Sequence, residues 1–200
     1  MNSQFLNAQQ FSGDFIGRWT DADLLGELIG VQESAQKYKG SPQPFFADDS
    51  KVQSYKKCAV ARELVKRWLC EELAIRTVFS EPSLVTDYLK IHFAGREYES
   101  FVVLYLDSHN RLISIEEPFR GTLTQTSVYP REIVKAALSH NAACVMFSHN
   151  HPSGLPEPSR ADEHLTQTLK AALALVDVRV LDHLIIAGCN SLSFAERGLL

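Results

Sequence analysis

The chain has no apolar run approaching the roughly 18–20 residues that a bilayer-spanning helix needs, so no membrane partner is expected. Its first residues, Met1-Asn2-Ser3-Gln4-Phe5, lack the basic and apolar regions of a secretory signal, and a cytoplasmic location is the expectation. Cysteine is scarce. Cys58, Cys70, Cys144 and Cys189 are far apart and form no C-x-x-C pair, which excludes a cysteine-built zinc site. In a reducing compartment it also argues against disulfides. Cys144 lies in the apolar run 142–147 and Cys189 follows the run 184–187, so both read as small buried hydrophobes. Excess basic charge is lacking too. A net charge of −4 gives no global attraction for nucleic acid or anionic lipid. There is no internal repeat and no low-complexity tract.

What is present suits an ordinary globular protein. Two hundred residues, 45% of them hydrophobic, allow one good-sized domain, or one domain with a small helical appendage. The first dozen residues show no periodicity and read as a loose tail. Thr20-Asp21-Ala22-Asp23 opens a helix carrying Leu24, Leu25, Leu28 and Ile29, with Gly30 as its stop. Lys39-Gly40-Ser41-Pro42-Gln43-Pro44 reads as a turn. A second helix is expected over 51–73, with Ala59, Leu64, Trp68 and Leu69 among its apolar positions. Its basic cluster, Lys56, Lys57, Arg62, Lys66 and Arg67, reads first as a solvated helix face and second as a phosphate contact.

From about residue 80 the pattern changes. Ser80 caps a short helix to about 89, and 101–106 is a strongly apolar strand with a hairpin partner at 112–115. Pro130 opens a helix through Val134, Ala137 and Leu138. A buried strand at 142–147 and an amphipathic helix at 161–176 follow. Further strand is expected at 178–180 with 184–186, and again at 191–194. This order predicts an α/β sandwich over 80–200 behind a helical region, 1–79.

One stretch concentrates chemistry. His149-Asn150-His151-Pro152 is followed by Ser159 and Asp162, giving two imidazoles and one carboxylate within fourteen residues. That is the ligand set of a catalytic zinc site with one position left for water. Period two puts His149 and His151 on one side of an extended chain, at the carboxyl end of a buried strand. Gly154 can take positive φ and the neighbouring prolines fix theirs, so the loop 152–158 is stiff. It can return the first turn of the next helix, with Asp162, to the two histidines. Ser159-x-x-Asp162 is equally a capping box, and Ser159 can cap the helix while facing the open position. Hydrolysis also needs a general base, and no Glu lies inside the motif. Glu97 and Glu99 before the first core strand, and Glu116 and Glu117 after the second, are the candidates.

Other polar residues read as structural. Asp182-His183 reads as a buried histidine on a strand, with orientation of a site group as the second reading. His92, His109, His140 and His164 have no partner at ligand spacing. Arg131-Glu132 reads as a fold-supporting ion pair.

His149-x-His151-x7-Ser159-x-x-Asp162 resembles the motif of the JAMM/MPN+ zinc metallopeptidases. The wider text is similar to their RadC (UPF0758) branch. It does so through Gly121-Thr122, Tyr129-Pro130-Arg131-Glu132, His149-Asn150-His151-Pro152-Ser153-Gly154, Leu181-Asp182-His183 and Ser193-Phe194-Ala195-Glu196-Arg197-Gly198. The resemblance covers about 80–200. It implies a three-layer, cytidine-deaminase-like α/β/α sandwich, with Zn2+ bound by His149, His151 and Asp162. It implies that Ser159 supports the tetrahedral intermediate and that the base stands just ahead of the strand opening the domain. Glu99 best matches that place, with Glu97 as competitor. The implied activity is metal-dependent cleavage of a peptide or isopeptide bond in a protein or peptide substrate. The alternative is a DNA-associated accessory protein with a structural or vestigial zinc. A noncatalytic scaffold is disfavoured by the complete ligand set. Residues 1–79 are less similar. Asp23-Leu24-Leu25 and Ala61-Arg62-Glu63-Leu64 resemble the family's helix-hairpin-helix region, but Lys51-Val52-Gln53-Ser54-Tyr55-Lys56-Lys57 has no glycine hairpin to approach DNA phosphates. Nothing in the sequence indicates an oligomeric state.

Overall fold

The computed structural model describes residues 20–29, 53–78, 82–121 and 128–200. The expectations for the N-terminal tail, Gly30, the 39–44 turn, Ser80 and Thr122 lie outside the described residues. Two compact units divide the chain between Glu63 and Leu64.

In the first unit, helix α1 spans Asp21–Ile29. Thr20 donates to Asp23 Oδ2 from its hydroxyl at 2.6 Å and from its backbone N–H at 3.1 Å. The Asp23 N–H donates back to Thr20 Oγ1 at 3.2 Å, which completes a reciprocal cap. A long helix, α2 (Gln53–Ile75), begins in this unit and ends in the second. Among the described residues, no helix is long and apolar enough to cross a membrane.

The second unit continues with α3 (Pro82–Phe93), β1 (Ser100–Leu106), β2 (Leu112–Arg120), α4 (Pro130–Ser139), β3 (Cys144–Asn150), α5 (Arg160–Ala174), β4 (Arg179–Ala187) and β5 (Asn190–Ser193). The sheet order is β2-β1-β3-β4-β5, with β3 and β4 parallel and the other neighbours antiparallel. Strands β1 and β3 are buried throughout; residues 101–106 and 145–147 are β-branched, aromatic or long aliphatic on both faces. Even-numbered side chains of β1 and β3, among them Val102, Leu104 and Met146, meet Val85, Leu89 and Phe93 of α3 and Leu69 and Leu73 of α2. Odd-numbered ones, among them Phe101, Tyr105, Val145 and Phe147, meet Ile133 and Ala137 of α4 and Leu169 and Leu173 of α5. Each fully buried Val, Leu, Ile, Phe or Met among them contributes about 1.5–3 kcal/mol by leaving water. Helices on both faces make the three layers of the expected sandwich.

Several boundaries differ from the sequence reading. Strand β2 runs to Arg120 rather than ending at 115, so Glu116 and Glu117 lie within it and not after it. Between Val103↔Glu116 and Phe101↔Phe119 the pairing carries an irregularity. Pro118 sits there, at an edge-strand bulge where a missing N–H is tolerated. The expected pieces 178–180 and 184–186 are one continuous β4, again with a register shift near Asp182. Polar Asp182 remains in the strand because its carboxylate accepts from Ser193 Oγ at 2.6 Å and from the Ala195 N–H at 2.9 Å. Helix α3 reaches Phe93, four residues beyond expectation. Cys144 is buried as expected, but Cys189 is exposed. It sits in the two-residue turn closing β4 on β5, where Gly188 takes φ +61°, and the apolar run ends two residues before it, at Ala187.

Candidate metal centre

Strand β3 carries the site. It extends through Ser148, His149 and Asn150 because each polar side chain in this run meets a buried partner. Ser148 donates to the Leu184 carbonyl at 2.8 Å. Period two separates the roles: His149 and His151 face α5, and Asn150 faces the α3 side. The backbone N–H of His151 donates to Ile186 at 2.8 Å, so the parallel ladder continues one step past the strand end. The loop then turns at Gly154, whose φ is +81°, a conformation that strains a residue with a Cβ.

Helix α5 brings Asp162 to the two histidines. Ser159 is its N-cap. Ser159 Oγ accepts from the Asp162 N–H at 3.2 Å, while the Ser159 N–H and hydroxyl donate to Asp162 Oδ2 at 2.7 and 2.6 Å. That reciprocal cap uses one carboxylate oxygen. The other, Oδ1, points to His149 Nε2 at 3.4 Å. Asp162 Oδ2 is 3.7 Å from His151 Nε2, and the two Nε2 atoms are 2.9 Å apart. A zinc ion with bonds of about 2 Å in tetrahedral geometry has ligand atoms roughly 3.3 Å apart. The observed set brackets that spacing. Among the described residues it is one group able to hold a metal ion, with His149 and Asp162 buried and His151 half-buried.

The electrostatics suit a cation. Burial opposes the negative charge of Asp162, but the adjacent His149 and His151 rings outweigh it and, with the Ser159 hydroxyl, hold the carboxyl well below its ordinary range. The Asp162 carboxylate beside it raises His151 despite partial burial, with the Leu155 carbonyl acting in the same sense. His183 is fully buried beside His149. Burial, reinforced by the neighbouring His149, holds it well below the usual histidine range.

Glu99 reaches the same cleft. This cavity, of about 390 Å³, is lined by Glu99, His151, Ser153, Ser159 and Asp162 among others. The register explains the placement. Phe101 of β1 opposes His149 of β3 in antiparallel pairing, so two residues outward Glu99 comes opposite His151 and on the same face. Glu97 is exposed and does not line the cleft. The other two candidate bases are engaged away from it. Glu116 pairs with His140 at 2.7 Å. Glu117 pairs with Arg96 at 2.8 Å and with Arg120 at 2.9 Å. Arg131 and Glu132 form an exposed pair at 3.2 Å on α4, of little energetic weight.

Two features outran the sequence reading. His183 is buried on a strand, as the first reading has it, and also hydrogen-bonds directly to His149 Nδ1 at 2.8 Å. Asn150 was not singled out. Its Oδ1 accepts from the Ser100 N–H at 2.8 Å and its Nδ2 donates to the Tyr98 carbonyl at 2.9 Å. Its place between two same-facing histidines, pointing the other way, was the available signal.

A mixed sheet sandwiched by helices, with a His-His-Asp group at the end of a central strand, defines an α/β domain with a candidate metal centre. The RadC-like JAB domain family matches residues 79–199, and the chain belongs to that family. It is 65% identical over 137 residues to a UPF0758 protein of Acidovorax sp. (strain JS42), covering 68% of this chain and 58% of the relative. A UPF0758 protein of Herminiimonas arsenicoxydans is 60% identical over 146 residues, 73% of this chain and 65% of that one. One from Methylibium petroleiphilum is 48% identical over 199 residues, with 90% of each chain covered. The chain spans about three fifths of the length of the first curated relatives it matches.

Proposed function

We propose that this protein is a zinc-dependent hydrolase that cleaves an amide bond, peptide or isopeptide, in a protein or peptide substrate. The observation that carries the reading is the grouping of His149, His151 and Asp162, two of which, His151 and Asp162, line the same cleft as Glu99. Two imidazole nitrogens and one carboxylate oxygen are a zinc donor set that leaves a fourth position open. A zinc ion held there supplies Lewis acidity, polarising a carbonyl and making water acidic enough to lose a proton near neutral pH.

The chain's own groups do the rest. Glu99 takes the proton of the attacking water and returns it to the leaving nitrogen. Ser159 supports the carbonyl oxygen as negative charge develops on it. To do so its hydroxyl turns away from Asp162 Oδ2, which keeps the Ser159 N–H as donor at 2.7 Å.

Metal analysis of the purified protein, followed by hydrolysis of an amide-substrate panel, tests the reading. His149→Ala is expected to abolish both zinc binding and turnover. Glu99→Gln is expected to retain zinc and lose turnover. A wild-type protein that takes up no zinc overturns the proposal, and a fully active Glu99→Gln variant removes Glu99 as the base.

A further inference from the structure

The hydrogen bonds behind the histidines determine where their protons sit. The backbone carbonyl oxygen of Asp162 can only accept, and Thr166 Oγ1 lies 2.6 Å from it. The threonine hydroxyl proton is therefore committed there. Thr166 Oγ1 has only lone pairs left for His183 Nδ1, 2.6 Å away, so that nitrogen carries a hydrogen. The His183 ring is fully buried with only Thr166 and His149 as hydrogen-bond partners. A neutral imidazole has one N–H, which leaves His183 Nε2 as an acceptor. His149 Nδ1, at 2.8 Å, must donate to it. His149 Nε2 then presents a bare lone pair toward His151 and Asp162. The same logic fixes His151, whose Nδ1 faces the Leu155 carbonyl at 2.9 Å and must donate. Two nitrogen lone pairs thus converge at 2.9 Å, an arrangement that calls for a shared cation.

We infer that His183 is a positioning residue for the metal, fixing with Thr166 the tautomer in which His149 coordinates through Nε2. This rests on the metal reading above. The relay starts at the backbone of one ligand, Asp162 on α5, and ends on another, His149 on β3, so the two ligands are held in one closed loop of bonds. Its middle member is clamped by rings. Phe101, Phe147 and Phe194 stand 5.6, 5.9 and 4.7 Å from the His183 centroid. A ligating histidine more often donates to a carboxylate or a backbone carbonyl. A carboxylate here would bury a second negative charge beside Asp162. A neutral ring orients His149 without doing so.

Two measurements test the inference. Long-range proton–nitrogen NMR of the metal-free wild type should show His183 protonated at Nδ1 and bare at Nε2. Competition titration with zinc should show His183→Leu weakened about 10–100-fold. His183→Gln, whose carboxamide can accept from His149 and donate to Thr166, should stay close to wild type. Where His183→Leu does not fold, Thr166→Val serves instead, with weaker zinc binding and a mixture of His183 tautomers expected. A proton on His183 Nε2 in the wild type overturns the inference, and so does a folded His183→Leu or Thr166→Val variant with wild-type zinc affinity. A wild type that binds no zinc overturns the metal reading alone. The NMR readout concerns the metal-free protein and still decides the relay.

Discussion

The side chain of Asn150 accepts the backbone N–H of Ser100 at 2.8 Å, joining residues fifty positions apart in sequence. The same carboxamide donates to the Tyr98 carbonyl at 2.9 Å, so it grips the chain on both sides of Glu99. The Gly121 N–H, donating to the Glu99 carbonyl at 2.8 Å, completes the hold. Further out, Arg96 donates to Ser100 Oγ at 2.7 Å while paired with Glu117. The backbone at Glu99 is thereby fixed by residues that do not themselves enter the cleft.

Asn150→Ala therefore separates base placement from metal binding. The variant strands the Ser100 N–H and the Tyr98 carbonyl, each worth about 1–3 kcal/mol when buried without a partner. Turnover is expected to fall ~10–100-fold through misplacement of Glu99, while zinc affinity stays near wild type. Urea denaturation, steady-state kinetics and zinc titration read the three quantities. Wild-type turnover in the variant would sink the idea that Asn150 positions the base.

Ser159 has two roles that substitution can distinguish. As N-cap of α5 its loss to alanine should lower stability by about 1 kcal/mol, whereas glycine should cost only a few tenths. Both changes remove the hydroxyl, so both should lose turnover by roughly 10²–10³-fold if Ser159 supports the oxyanion. Activity that tracks stability rather than the hydroxyl would leave Ser159 as a cap alone.

Acid should weaken the fold through His92, which lies 3.1 Å from Arg96 and 3.4 Å from Glu117. Burial, with the Arg96 charge acting the same way, pushes His92 down to about 4. The unfolded chain then takes up a proton below its ordinary value of about 6.5 that the native state refuses. Stability is retained above pH 6.5 and declines as pH falls from there toward 4. Glu117 acts in the same sense at lower pH: burial opposes its charge, but the hydrogen bond from Arg96 wins and lowers it. His151 in metal-free protein works oppositely, since its raised value favours the acid side. Comparing wild type with His92→Phe in urea melts between pH 7 and 4 isolates the effect, and the variant should show the flatter profile. Parallel profiles would show that His92 does not contribute.

Much of this architecture was legible in the sequence because it depends on local patterns. The apolar runs at β1 and β3, proline at the start of α4 and the Thr20 and Ser159 caps all record short-range physics. The ligand set was legible because fixed spacing and period two suffice to face His149 and His151 the same way. What escaped required tertiary partners. Strand β2 continues past Ile115 because an edge strand with a bulge accommodates Glu116, Glu117 and Pro118, whose polar and proline character gives no strand signal in sequence. Cys189 looked buried because periodicity does not reveal that a turn has begun. Among four glutamates the choice of Glu99 rested on a family likeness, and the antiparallel register of β1 against β3 supplies the physical reason. His183 could not be tied to His149 without knowing that β3 and β4 run parallel side by side.

That central strand carries a constraint beyond packing. Residues 149–151 alternate between opposite faces, with the candidate ligands His149 and His151 on one and Asn150, which holds the segment around Glu99, on the other. Slipping β3 by one residue against β1 would exchange them, sending both imidazoles toward α3 and the carboxamide into the cleft. A buried strand elsewhere can trade one aliphatic residue for another after such an error. This one cannot, so its alignment with both neighbours is also the alignment of the chemistry.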